Sequence, residues 1–335
     1  MGSTNPTVGN WVDADQLHHF IHQALEQYGL SVADANLLAD HFVWAELQGM
    51  PCLGISNLPW YLAALRAGAA ATASGEPKVA LRRGGFLVVD AEDALGPLVG
   101  HRVMAEVIET ARSTGVSAAL IRNITGPVAQ GYVASLAVDE QMVGLAMNSG
   151  QPRELSPGAS YEAGAINTLA IASPAGQNPP LMLNMARSGI GLAQVAGQAP
   201  FDPVAAFDEM LRPVHESSFG LAMLWKVLTA VLSTSETSAI DRSSPTDASQ
   251  QRSGSMLLLA LDPTVSVPYE SFVSSVDKLI DRIYASSPAC GGSEQQRSPG
   301  MQNVEQRPTN GISLPGAVRT MLRATAAELG ISLAV

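Results

Sequence analysis

Positive charge is in short supply. The 335 residues carry 19 Lys and Arg against 30 Asp and Glu, a net charge of −11, which argues against nucleic acid or an anionic membrane surface as the main partner. Cysteine is scarcer still: Cys52 and Cys290 are the only two, too few for a disulfide framework. No apolar run approaches the ~20 residues of a membrane span, and no charged-then-apolar leader opens the chain. A cytoplasmic protein with neither nucleic acid nor membrane as partner is expected. No strand is followed by Gly-x-Gly-x-x-Gly, so the dinucleotide fingerprint is missing. No His-Glu-x-x-His motif is present either; His18 and His22, one helical turn apart, read as an exposed helix face and not as metal ligands.

What is present is 46% apolar residues with only 5% aromatics and many alanines, the mark of a helix-rich α/β globule long enough for two or three subdomains. Apolar spacing predicts helices over 13–28 and 32–48, the second capped by Ser31 or Asp34, and a shorter one from Pro59 to Ala67. Strands are expected at Gly85–Asp90, Ser117–Ile121, Val143–Met147, Leu169–Ala172, Leu181–Met185 and Met256–Leu261. Further helices are expected at His101–Thr114, Gly131–Asp139, Phe219–Leu232, Tyr269–Tyr284 and Gly316–Leu329. Ser233–Ser255 and Ser286–Asn310, rich in Ser and Gln, read as solvated loops. Alternating strands and helices would ordinarily suggest a parallel doubly wound sheet.

The stretch Ala45-Glu46-Leu47-Gln48-Gly49 through Leu65-Arg66-Ala67-Gly68 resembles the malate/L-lactate dehydrogenase family, which lacks a Rossmann fold and includes sulfolactate, ureidoglycolate and diketogulonate enzymes. Asp90–Gly100 is similar to the family's Asp-Gly-x-Asn-Gly-x-Gly turn, Leu183-Asn184-Met185-Ala186 to its Leu-Asp-Met-Ala, and Phe219-Gly220-Leu221-Ala222 to its Tyr-Gly-Leu-Ala; Gly311–Pro315 and Ala327–Ile331 also fit. The resemblance implies a non-Rossmann, sulfolactate dehydrogenase-like α/β fold. Residues 1–75 and 265–335 would form a helical subdomain and 76–264 a central α/β part, the former cofactor-binding region. It also implies a homodimer with the site near the subunit interface.

Where the family carries Asp-Ser-His-Gly, with histidine as proton donor, this chain has Pro51, Cys52, Leu53 and Gly54. Leucine has no titratable proton and cannot be the acid or base. Asn57 stands where the family's substrate-binding arginine is expected and Trp60 where a second is common. Thr125-Gly126-Pro127-Val128 replaces Asn-His-Phe-Gly, so that histidine becomes Gly126. In the former cofactor loop Ser217 replaces lysine. Ala165-Ile166-Asn167-Thr168 replaces Gly-Thr-Asn-Pro, Pro299-Gly300-Met301 replaces Pro-Gly-Glu, and Arg187 replaces a threonine. A cation on a carboxylate is worth ~1.5–3 kcal/mol, so these changes point to a small-molecule substrate larger and more apolar than a 2-keto acid.

Tyr132, His215 and Glu216 are the remaining acid–base candidates, and Asn148 and Asn167 the retained polar contacts. Cys52 reads as an inert thiol, since no local motif supplies it with a base. The first reading is a repurposed, cofactor-independent enzyme that orients its substrate for cyclisation, a pericyclic step included, or isomerisation. The alternative is an NAD- or NADP-dependent oxidoreductase with a rearranged site. A second alternative is a non-catalytic binding or partner subunit.

Overall fold

The computed structural model describes residues 11–66, 77–149, 168–184, 227–232, 254–286 and 311–333. The chain divides into two compact units, one of residues 1–75 with 302–335, the other of 76–301.

The first unit is helical. Helix α1 (Ala14–Gln27) starts where Asp13 accepts hydrogen bonds from the backbone N–H groups of Asp15 and Gln16, both at 3.0 Å. It buries Leu17, Phe20, Ile21, Ala24 and Leu25, a stripe at helical spacing. Helix α2 (Val32–Leu47) is capped by Ser31, which accepts from Asp34 N–H at 3.1 Å; Asp34 is thus the partner of the cap. Two short 3₁₀ turns, Pro51–Leu53 and Ile55–Asn57, lead into helix α3 (Leu58–Ala64). Strand β1 (Trp11–Asp13) pairs antiparallel with the late strand Gly311–Ser313. Arg66 lies over the Tyr28 ring, 5.2 Å from its centroid, and pairs with Glu328 at 2.7 Å. Glu328 belongs to the last helix, Gly316–Leu329. Side-chain caps and apolar stripes thus build the helices, and contacts far apart in sequence join them.

The second unit is built on a seven-stranded sheet. Its strands in chain order are β2 (Lys78–Arg83), β3 (Phe86–Asp90), β4 (Val116–Ile124), β5 (Val143–Ser149), β6 (Thr168–Ser173), β7 (Leu181–Asn184) and β8 (Gly254–Leu261), arranged β2-β3-β4-β8-β5-β6-β7. Among the described residues only β3 and β4 run parallel; every other neighbouring pair of these strands is antiparallel. The sheet is therefore not the parallel doubly wound kind that alternation alone suggests.

Helix α4 (Gly96–Thr114) crosses from β3 to β4, and α5 (Gln130–Asp139) joins β4 to β5. They pack side by side on one face, α4 over β4 and β8, α5 over β5 and β6. Helix α4 begins five residues before the expected His101, because Pro97 sits in its first turn, where a missing N–H does no harm. It ends at Gly115, φ +79°. Strand β2 was not anticipated: all six of its residues are exposed, so no apolar alternation marks it.

Helix α6 (Tyr269–Ser286), grouped with the terminal helices in the sequence reading, holds a loop of the second unit. Its Asp277 accepts from the backbone N–H groups of Gly176, Gln177 and Asn178 at 2.8 to 3.1 Å. These bonds hold the Asp277 carboxyl below its ordinary range, against a smaller opposing effect of burial. Of the expected helix Phe219–Leu232, the turn Val227–Val231 lies within the described residues and packs on β8 and β5. The last strand and helix, Gly311–Ser313 and Gly316–Leu329, are β9 and α7. Among the described residues, no helix is long and apolar enough to cross a membrane.

Two consequences can be measured. A Cβ on Gly144 of β5 would stand 2.2 Å from the carbonyl oxygen of Ala134 and 2.8 Å from the Ala137 Cβ, so α5 must lift. Gly144→Ala is expected to destabilise by about 1–3 kcal/mol, as overpacked cores do; urea unfolding checks it. His41 is wholly buried, and burial pushes its imidazole down to about 3 from 6.5. The unfolded chain therefore binds a proton that the folded chain refuses, so stability falls as pH drops from about 6.5 towards 3. A His41→Phe variant should show a flatter pH dependence over that window in thermal melts.

Candidate functional site

Four of the candidate positions lie on one short segment of the first unit. Cys52 and Leu53 are in the first 3₁₀ turn, Asn57 ends the second, and Trp60 is in the first turn of α3. What shapes this segment is Glu46, near the end of α2. Its buried carboxylate accepts from Ile55 N–H at 2.8 Å. A Cβ on Gly54 would fall 2.2 Å from Glu46 Oε1, so glycine lets the chain pass directly over the carboxylate. Leu53 is buried, 3% exposed. Asn57 spends its amide locally, donating from Nδ2 to the Gly54 carbonyl at 3.1 Å. Trp60 is 37% exposed, with its ring edge-to-face on buried Tyr61 at 4.9 Å. The segment therefore presents an apolar side chain, a tied amide and an aromatic ring. Sequence reading overlooked Glu46; its place one helical turn before the Gly49 bend is the signal that pointed to it.

The other described candidates gather at one end of the central strands of the sheet in the second unit, here called its edge. Strand β4 ends at Ile124, and Thr125 follows in a tight exchange: its N–H donates to Ala94 at 3.0 Å and its carbonyl accepts from Gly96 N–H at 2.7 Å. Gly126 has φ +86°, a left-handed conformation that makes glycine a backbone requirement here. Tyr132, in the first turn of α5, is 8% exposed and its ring stacks on His101 at 6.4 Å. Asn148 lies opposite Thr168 in the β5–β6 register and opposite Met256 in the β5–β8 register. Its Oδ1 accepts from both the Thr168 N–H, at 2.9 Å, and the Thr168 hydroxyl, at 2.7 Å.

Sequence reading missed two residues of this edge. Gln130, the first residue of α5, is fully buried. Its Nε2 donates to Met256 Sδ at 3.5 Å, and its Oε1 has no hydrogen-bond partner. Asn184, at the end of β7, is buried opposite Ala170. Gly144, Ala146 and Asn148 alternate onto the face that carries α5, and Thr168 and Asn184 share it. Gln130, Met256, Asn148, Thr168 and Asn184 thus form an uncharged strip. A polar residue opening the otherwise small and apolar run from Gly131 to Val138 was the available clue to Gln130.

Beside the strip, at the end of β3, Asp90 accepts from Arg122 Nε and Asn123 Nδ2, each at 2.9 Å, and from Glu92 N–H at 3.1 Å. Burial pushes its carboxyl up, but these bonds outweigh it and the group sits below the ordinary carboxylate range. Asp93 and Asn123 have φ of 63° and 58°, left-handed positions that Asp and Asn tolerate. Asp90 therefore acts as a brace for two loops. Asn167, Arg187, His215, Glu216 and Ser217 lie outside the described residues. His18 is 2.9 Å from Asp40 and His22 3.3 Å from Glu26. Among the described residues no three His, Cys, Asp or Glu gather as a metal site.

Comparison with known proteins bears on this arrangement. The family model for malate/L-lactate dehydrogenase matches residues 12–199, which include the 51–54 segment and much of the sheet edge. The malate dehydrogenase of Pyrococcus horikoshii is 25% identical over 306 residues, 82% of each chain. The (2R)-3-sulfolactate dehydrogenase (NADP(+)) of Chromohalobacter salexigens is 28% identical over 326 residues, 90% of this chain and 94% of its own. The solved structure of the Pyrococcus horikoshii malate dehydrogenase superposes with a TM-score of 0.80 at 23% identity, covering all of both chains. One expectation is corrected by these relatives. A protein working without a cofactor was expected, yet the relatives are dehydrogenases, and one is named for NADP(+). That expectation was drawn from changes at 53, 57 and 126 together with those at 165–168 and Ser217 in the former cofactor loop. With a family model over more than half its length and the fold of a solved member, this chain belongs to the malate/L-lactate dehydrogenase family.

Proposed function

We propose that the protein is an NAD(P)-dependent oxidoreductase with a rearranged substrate site, acting on a small carbonyl or imine compound larger and less acidic than malate. The family match across residues 12–199 is the observation that carries this reading. The non-redox cyclisation reading depended on working without a nucleotide and falls with that expectation.

The residues present fit such a group. Gln130 Oε1 is a buried acceptor without a partner, and the strip around it offers amides and a hydroxyl, suited to a neutral ring amide. The nicotinamide, when bound, supplies or takes the hydride. The chain's own residues then set the rest. Within the first unit, Leu53 has no proton to give. Trp60 offers a flat apolar surface, and Asn57, tied to Gly54, leaves no cation for a second carboxylate. The proton at the substrate oxygen or nitrogen falls to another group. Tyr132, in the first turn of α5 two residues from Gln130, carries an ionisable hydroxyl at this edge of the sheet.

Calorimetric titration of the full-length protein with NADH and NADPH, up to millimolar levels, tests the proposal. Stoichiometric binding of at least one is expected, followed by nucleotide oxidation with a suitable bulky 2-oxo ester or cyclic imine. Absence of binding by both nucleotides would overturn it.

A further inference from the structure

Gln130 is a costly residue to keep where it is. An acceptor buried without a partner loses the hydrogen bond that water gave it, and folded proteins retain few such groups. Met or Leu would fill the same space in the first turn of α5 without that penalty. The amide is also oriented: its Nε2 faces Met256 Sδ at 3.5 Å, leaving Oε1 as the end with nothing to accept from. Its surroundings narrow what would fit. Met256 stands opposite Asn148 on β8 and β5, and Asn148 is committed to Thr168 through its Oδ1. Helix α5 opens without a side-chain cap. None of Gln130, Met256, Asn148, Thr168 or Asn184 is charged. A phosphate would find no cation among these five side chains, and a carboxylate would meet acceptors. A neutral group carrying an N–H donor would satisfy the open oxygen.

We propose that Gln130 recognises the nicotinamide end of the nucleotide, its Oε1 accepting a hydrogen bond from the amide nitrogen of the ring carboxamide. This rests on the nucleotide-dependent reading above and specifies it: Gln130 is a selectivity group for the cofactor's amide. Binding pairs the buried acceptor, so part of the free energy withheld in the ligand-free fold is recovered in the complex.

The test uses NAD(+) and NADP(+) beside their 3-acetylpyridine analogues, in which a methyl group replaces the amide nitrogen. Each is titrated calorimetrically into the full-length protein and into Gln130→Met and Gln130→Leu, with thermal melts of all three proteins. The unsubstituted protein is expected to bind the amide nucleotide roughly five- to tenfold more tightly than its analogue, the ratio for one hydrogen bond. Gln130→Met should reduce that ratio to about one by weakening only the amide nucleotide, while melting at the same or a higher temperature. The comparison of the two nucleotides on the unsubstituted protein needs no variant, so a folding failure does not leave the proposal unanswered. It is overturned if the unsubstituted protein binds both ligands equally, or if Gln130→Met or Gln130→Leu keeps the discrimination. If the unsubstituted protein binds neither nucleotide nor analogue, the nucleotide-dependent reading itself fails, and this assignment with it.

Discussion

Strand β8 lies between β4 and β5 and hydrogen-bonds to both, and its register decides the second unit. The pairing sets Met256 opposite both Ile121 and Asn148 and sends its side chain to the face where α4 and α5 meet; a Cβ on Gly100 would be 3.4 Å from Met256 Cε. A slip of one residue would turn Met256 and Leu258 away from the helices and move the neighbouring residues in. The two helices would lose their seat, and Gln130 the hydrogen bond from its Nε2 to Met256. The strand comes from residues 254–261, more than a hundred positions after β4. The edge that gathers Thr125, Gln130 and Asn148 is thus completed by a late segment of chain.

The first unit depends on a smaller device of the same kind. Glu46 places a carboxyl group beneath a loop of the backbone, and glycine at 54 lets the loop close over it. Nearby, His41 is wholly enclosed, and its ring meets Phe42 at 5.6 Å, which in turn meets Tyr61 at 5.1 Å. Polar groups at the centre of α2 are thus held by their surroundings and not by solvent. Hydrogen bonds that fold residues 51–57 come from the backbone, Glu46 and Asn57, not from the side chain at 53.

The helices of the first unit were legible because their signals are local. Asp13 and Ser31 cap where side-chain acceptors should, and the apolar stripe of α1 needs no distant partner to be recognised. The strands at 86–90, 143–149 and 168–173 were readable for the same reason. Strand β2 was not: Lys78-Val79-Ala80-Leu81-Arg82-Arg83 is exposed throughout and is a strand only because β3 offers it an edge. The site was half legible. The departures at 53, 57 and 126 can be read directly from residue types. Local sequence hints at Glu46 and Gln130, but their partners, Ile55 across a turn and Met256 across the sheet, come from the fold. Gly126 was read as a lost histidine, whereas its φ of +86° makes it a condition of the turn.

The pairing of β1 with β9 couples the two ends of the chain. Residues 1–75 are synthesised before the central unit, and 302–335, which belong to the same unit, after it. At synthesis rates of about 5–20 residues per second, the early helices wait on the order of tens of seconds for their strand partner and for α7. The central unit emerges whole in that interval and can fold before the unit that precedes it in sequence. The first unit, by contrast, closes only once β9 and α7 have been made.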